Sequence, residues 1–157
     1  LVQKMMRLIV ENSGAQRGCL LVEKAGEWFI EAELDAAQGN VVTRPAENLE
    51  TAGSVPASIV RYVVRTHTAV VLNDAAREGA FRDDSVVRQL SAKSLLCIPF
   101  ISQGRVSGVL YLENNLVAGV FSADRAQLLE VLCAQAATAL ENSRLYDEME
   151  QRVASRT

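Results

Sequence analysis

Residues 94–115, SLLCIPFISQGRVSGVLYLENN, and the helical pattern directly behind them constrain this chain more than any other feature. Two apolar runs, 95–101 and 106–112, flank the polar turn Ser102-Gln103-Gly104-Arg105, which is the pattern of a β-hairpin. Asn114-Asn115 closes the second strand. Phe121-Ser122-Ala123-Asp124 then opens a helix that the pattern carries to the end of the chain. Ser122 suits the N-cap, and Asp124 in the first turn complements the helix dipole.

At 157 residues, with 49% hydrophobic and 22% charged side chains, the chain has the composition of one globular domain. A net charge of −3 with scattered basic residues argues against a nucleic-acid partner, which wants a clustered basic face. No apolar run approaches the roughly 20 residues of a membrane span, and no signal peptide is visible. Cys19, Cys97 and Cys133 each sit in an apolar segment without CxxC spacing, so they read as buried thiols of a reducing cytoplasm. His67 is the only histidine and has no ligand cluster around it, which disfavours a structural zinc site. The chain starts inside a helical pattern, as expected of a fragment cut from a longer protein.

Along the chain, residues 1–12 carry apolar positions at helical spacing, with a stop at Asn12-Ser13-Gly14. Runs 18–23 and 28–34 around Lys24-Ala25-Gly26-Glu27 predict a first hairpin. Residues 35–54 show Gly39-Asn40, Pro45 and Gly53 with little periodic burial, so a long loop is expected there. A helix is predicted after Pro56, a short strand at 69–72, and one or two helical turns at 85–90. On the last helix, Leu129, Leu132, Ala136, Ala139, Ser143, Tyr146 and Val153 form one seam, and Leu128, Val131, Leu140 and Leu145 widen it early. A stripe that starts wide and narrows suggests packing on a sheet first and on another helix later. The order predicts an α+β fold: a mostly antiparallel sheet with the N- and C-terminal helices packed on one face.

This order resembles a GAF domain, a sensory relative of PAS domains. The resemblance rests on Gly14-Ala15-Gln16-Arg17-Gly18-Cys19-Leu20-Leu21-Val22, on residues 94–101, and on Gly108–Asn115, GVLYLENN. It continues through Ala118-Gly119-Val120-Phe121-Ser122-Ala123-Asp124 and residues 135–146. Among GAF domains the chain is similar to those of bacterial hybrid kinases, where a long helix leads to a histidine-kinase or other output module. The resemblance implies a GAF domain over 1–146 and the start of a signalling helix over 147–157. It also implies a cytoplasmic, non-catalytic sensor or regulatory unit that relays a shift in the sheet to the exit helix. A ligand-free dimerising spacer is one alternative, and a GAF-type methionine-sulfoxide reductase is another.

Each chemistry known in such domains has its own residue pattern. Cyclic-nucleotide binders carry Asn-Lys, Phe and Asp-Glu; here Asn73 precedes Asp74, and Ser85-Val86 follows Phe81 at the acidic positions, which argues against that ligand. Covalent bilin attachment wants a loop cysteine, whereas Cys97 lies mid-strand. Haem wants an axial ligand, and His67 lies at a helix–strand turn. The reductases use loop cysteines able to form disulfides, whereas these three lie in strands and a helix. Nor does the sequence hold a Ser-His-Asp set or a phosphate-binding Gly loop. For an unidentified small molecule, Arg61, Tyr62 and Phe81 are the candidate pocket residues, with Trp28 as a further aromatic. For a homodimer through the terminal helices, Ser143, Tyr146 and Val153 are the candidate seam.

Overall fold

The computed structural model describes residues 2–37, 41–77 and 79–156, with side chains described except at 2, 3, 41–45, 140, 143–148 and 151–156. Eleven elements follow in order: α1 (Val2–Ser13), β1 (Arg17–Lys24), β2 (Glu27–Asp35), β3 (Val41–Asn48), α2 (Leu49–Ala52), α3 (Ala57–Thr66), β4 (Val70–Leu72), α4 (Ser85–Leu90), β5 (Ser94–Ser102), β6 (Arg105–Asn114) and α5 (Ala123–Arg156). The six strands form one sheet in the order β3-β2-β1-β6-β5-β4, and every neighbouring pair is antiparallel.

Both tight hairpins turn through two residues with positive φ: Ala25 and Gly26 between β1 and β2, Gln103 and Gly104 between β5 and β6. That is the type I′ geometry, whose twist matches the strands it joins. Two bulges then set which face each side chain meets. In the β1–β2 pair the register skips Glu31, so Ile30 lies on one face of the sheet while Ala32 and Leu34 lie on the other. In the β5–β6 pair it skips Ser107 and moves Val106 across in the same way.

The expected long loop at 35–54 is instead β3 followed by α2. Its strand pattern is interrupted by Gly39-Asn40, which lie outside the described residues, and by Pro45. An edge strand tolerates such a proline because one side of it makes no ladder bonds, and the β2–β3 register jumps from Thr43 to Glu47 there. Asn48 caps α2 by accepting from the Glu50 amide, and Gly53 ends it in the left-handed region.

α1 and α5 cover one face, as the sequence predicts; α2, α3 and α4 cover the other. α1 lies close on β1 because Gly18 has no side chain: a Cβ there would come within 2.7 Å of Val10 Cγ2 and 3.0 Å of Leu112 Cδ2. α5 begins at the Ser122 cap, whose Oγ accepts from the Arg125 amide, and presents Ala126, Leu129, Cys133 and Ala137 to the sheet. Leu128 and Val131, expected to widen that buried stripe, are exposed. The 126/129/133/137 row steps by three and four, and Leu128 and Val131 fall off it onto the solvent side.

Candidate regulatory site

Among the described residues Glu113 is the one buried charged side chain, at 4% exposure. It stands two positions after Tyr111 on β6 and therefore shares that residue's face, the one beneath α3. β1 sets Arg17 directly opposite Glu113 in the ladder. The Arg17 fork then meets three acceptors: Nε donates to Glu113 Oε1 at 2.5 Å, Nη1 to Glu33 Oε1 at 3.3 Å, and Nη2 to the Ser54 carbonyl between α2 and α3. The second oxygen of Glu113 accepts from the Tyr111 hydroxyl at 2.6 Å, and the guanidinium lies 5.8 Å from the Tyr111 ring centroid. The planar guanidinium, with five donors in a fixed fork, suits a site where the acceptors lie on two neighbouring strands and an overlying chain.

The electrostatics follow from burial. Tyr111 is pushed well above the usual phenol range, first by desolvation and then by the Glu113 carboxylate, so its hydroxyl remains a donor. Burial works against the Arg17 charge, but neighbouring Cys19 and Glu113 outweigh it and the net shift is upward. The centre is a satisfied buried charge cluster, with Glu33 at its solvent margin.

One residue beyond Glu113 the chain enters the turn that feeds α5, and side chains hold it densely. Asn114 Oδ1 accepts from the amides of Leu116 and Val117, and its Nδ2 donates to Gly14 O, each at 3.0 Å. Gln16, next to Arg17, accepts from the Asn115 amide at 3.0 Å. Ser94 Oγ donates to Val117 O and accepts from the Val120 amide. Arg125 on α5 donates to Ser13 O and Val120 O. It passes over Gly14, where a Cβ would lie 2.6 Å from Arg125 Nη1 and where φ is +81°.

The candidate residues read from the sequence fall elsewhere. Arg61 and Tyr62 lie on the solvent side of α3, since Ile59, Val60 and Val63 take its buried side. Arg61 Nη1 bonds both oxygens of Glu50. Tyr62 and half-buried Phe81 meet edge to face at 5.5 Å, and Arg65 lies 5.6 Å from the Tyr62 ring centroid. Tyr62, Phe81 and Arg65 thus meet on the solvent side of α3, whereas Arg61 pairs with Glu50 of α2. Trp28 is half-buried against the α3-side core. Ser143, Tyr146 and Val153 belong to the α5 backbone, and their side chains lie outside the described residues. His67 ends α3 in the left-handed region and borders an open cleft of about 260 Å³ with Pro99, Ile101 and Glu130. Asp84 caps α4, accepting from the amides of Val86 and Val87, and also accepts from the Ser58 hydroxyl. Cys19, Cys97 and Cys133 are buried thiols; burial pushes Cys133 up to about 12 and Cys97 higher still. Among the described residues no cluster of three or more candidate metal ligands occurs, and no helix is long and apolar enough to cross a membrane.

Arg17 and Glu113 both fall within the stretches that carry the GAF resemblance, but nothing in the sequence alone marks them as a pair. Each lies just outside the apolar run that predicts its strand, and only the pairing of β1 with β6 brings the two charges together.

Residues 1–140 match the model of the family described as the GAF domain. The chain is 34% identical over 94 residues, 60% of its length, to hybrid signal transduction histidine kinase G of Dictyostelium discoideum. It is 28% identical over 159 aligned positions, 96% of its length, to histidine protein kinase 1 of Candida albicans. It spans only 3% and 6% of those two kinases. Among solved structures it resembles the GAF domain of a two-component sensor histidine kinase from Bacillus halodurans, with a TM-score of 0.65 and 17% identity, covering 92% of this chain and 96% of that one.

Proposed function

This chain belongs to the GAF domain family, and we propose that it is the non-catalytic regulatory unit of a cytoplasmic histidine-kinase signalling protein, acting as a homodimer through its C-terminal helix. The observation that carries this reading is the continuity of α5. It is one helix of 34 residues, roughly 50 Å long at 1.5 Å per residue, and its sheet-facing row of Ala126, Leu129, Cys133 and Ala137 lies in its first half. The second half, with 147–157 as the start of a signalling helix, would lead to the output kinase module. Exposed Leu128 and Val131 on α5 and Leu8 on α1 are apolar positions suited to a second copy, continued by the Ser143, Tyr146 and Val153 seam.

Mass in solution, by light scattering and native mass spectrometry, tests the reading. A dimer is expected, and replacing Ser143 and Val153 with glutamate should give a folded monomer. A monomeric unmodified chain, or a doubly substituted chain that stays dimeric, overturns the seam.

Whether a small molecule takes part divides two versions. Tyr62 and Phe81 offer a ligand an aromatic pair beside the Arg65 guanidinium, with Arg61 on the same helix in its ion pair with Glu50. The space between α3 and the sheet is filled by Ile59, Val60, Val63, Leu95 and Tyr111, which favours the ligand-free dimerising spacer. Retained excess mass in the native spectrum would select the ligand-bound version. The sulfoxide-reductase alternative finds little support, since all three sulfurs are buried.

A further inference from the structure

We propose that Arg17 and Glu113 form a two-sided latch, fixing the α2–α3 connection on one side and the turn that launches α5 on the other. The proposal rests on the reading that α5 carries the output, and it names the part of the domain that regulates that helix.

The geometry runs in both directions from one ion pair. Towards α3, Arg17 Nη2 holds the carbonyl of Ser54, the residue after the left-handed Gly53, where a short helix ends and the next approaches. Towards α5, Glu113 is bonded to Arg17 through its side chain and accepts from the Gln16 amide through its own carbonyl at 2.7 Å. The next residue, Asn114, orders Leu116 and Val117, and Gln16 holds Asn115. A displacement of Ser54 therefore reaches the α5 launch through side-chain bonds centred on one guanidinium and two adjacent residues. Simple apolar packing would position α2 and α3 as well, as it does along the rest of that face. A buried charge cluster has a sharper response, because moving one partner leaves another charge unsatisfied. Such a cluster has few satisfied arrangements, which is what a switch between two states requires.

Hydrogen exchange of the purified chain, read residue by residue in Arg17→Lys, tests the latch. Lysine keeps the charge and can hold Glu113, but it lacks the fork that also holds Ser54. Exchange is expected to rise at least tenfold both at residues 53–55 and at 115–120, while β2 and β5 keep their protection. Arg61→Ala, which frees Glu50 on the outside of α2 and α3, should raise exchange near α2 and leave 115–120 unchanged. A rise at 53–55 alone overturns the latch. So does a uniform rise across the sheet, which would make Arg17 a purely structural residue. If Arg17→Lys does not fold, Glu33→Ala removes only the marginal acceptor; a rise at both ends together then supports the latch, and a rise at one end or at neither overturns it. Dimerisation is measured separately, so a monomeric chain would sink the output reading without touching this result.

Discussion

On the α1/α5 face of the sheet, Leu20, Leu96, Ile98, Phe100, Leu110 and Leu112 meet Met6, Ile9, Val10, Leu129 and Cys133 in an apolar layer. On the other face, Leu21, Leu95, Val109 and Tyr111 meet Ile59, Val60 and Val63, and that layer is interrupted by Glu113 with its partner Arg17. The covering elements differ as well. The first face carries helices of 12 and 34 residues, the second helices of 4, 10 and 6. Short helices gain little from their own hydrogen bonds and depend on caps and tertiary ties. The caps are present at Asn48 and Asp84, and the ties are polar. Dispersion and burial in a close-packed layer hold the first face, and such a layer transmits strain. The second face is packed in the same way along most of its area, but the Arg17–Glu113 centre adds specific charges to it, and these are either satisfied or costly. A regulatory domain gains from having both kinds of face on one sheet, because the firm face can transmit what the conditional face decides.

The largest expected effect tests the firm face. Leu110 is fully buried there, and Leu110→Asp sets an unpaired carboxylate among Leu20, Phe100 and Leu129. That costs several kcal/mol against a total stability of about 5–15 kcal/mol. The variant should lack a cooperative thermal transition by circular dichroism. A folded Leu110→Asp chain would mean that this face is looser than its packing implies.

The second test converts one kind of face into the other. Arg17→Met leaves Glu113 buried without its cation and should cost about 3–5 kcal/mol in urea unfolding. Arg17→Met with Glu113→Leu and Tyr111→Phe removes the buried ion pair and the Tyr111 donor together and leaves only Glu33, at the solvent margin, without its cation. It should recover most of that loss, because a well-packed apolar replacement of a buried ion pair is often neutral. If the triple variant is as unstable as the single one, the centre contributes shape rather than charge satisfaction, and the two faces differ less than proposed.

The same contrast explains what could be read from the sequence. The strands and helices that bury apolar residues at clean periods, 94–115 and the first turns of α5 above all, are legible because period and burial coincide. The edge strand β3 is not, since its stability comes from pairing with β2 and its own pattern is broken at Pro45. The bulges at Glu31 and Ser107 are equally hidden, and they decide which face Ile30 and Val106 meet. The Arg17 centre needed the register of β1 against β6, which no local pattern encodes. Arg61, Tyr62 and Phe81 could be read as pocket candidates, but α3 turns Arg61 and Tyr62 outward, because Ile59, Val60 and Val63 form the stronger apolar stripe.

The smallest expected effect concerns pH and sharpens the comparison with one thiol on each face. Burial raises Cys133 to about 12, whereas an unfolded thiol ionises near 9. A folded value above the unfolded one means that the stabilisation is complete below pH 9 and is lost as pH rises towards 12. By pH 10.5 the loss from Cys133 amounts to about 2 kcal/mol, at 1.36 kcal/mol per unit. Cys97 shifts in the same direction, through desolvation first and Cys133 second, and Tyr111 adds to the decline. Urea midpoints should be level from pH 7 to 8.5 and fall between 9 and 10.5, with a shallower fall in Cys133→Ala. A midpoint that stays level to pH 10.5 would mean that the thiols are solvated in the folded chain. The order of alkylation then separates the faces. Both sulfurs are fully buried, so reagent reaches them only through local opening. If α3 and α4 open more readily than α5, Cys97 is modified before Cys133 by mass spectrometry at pH 8.5. The reverse order would identify the long helix as the mobile layer and the charged face as the firm one.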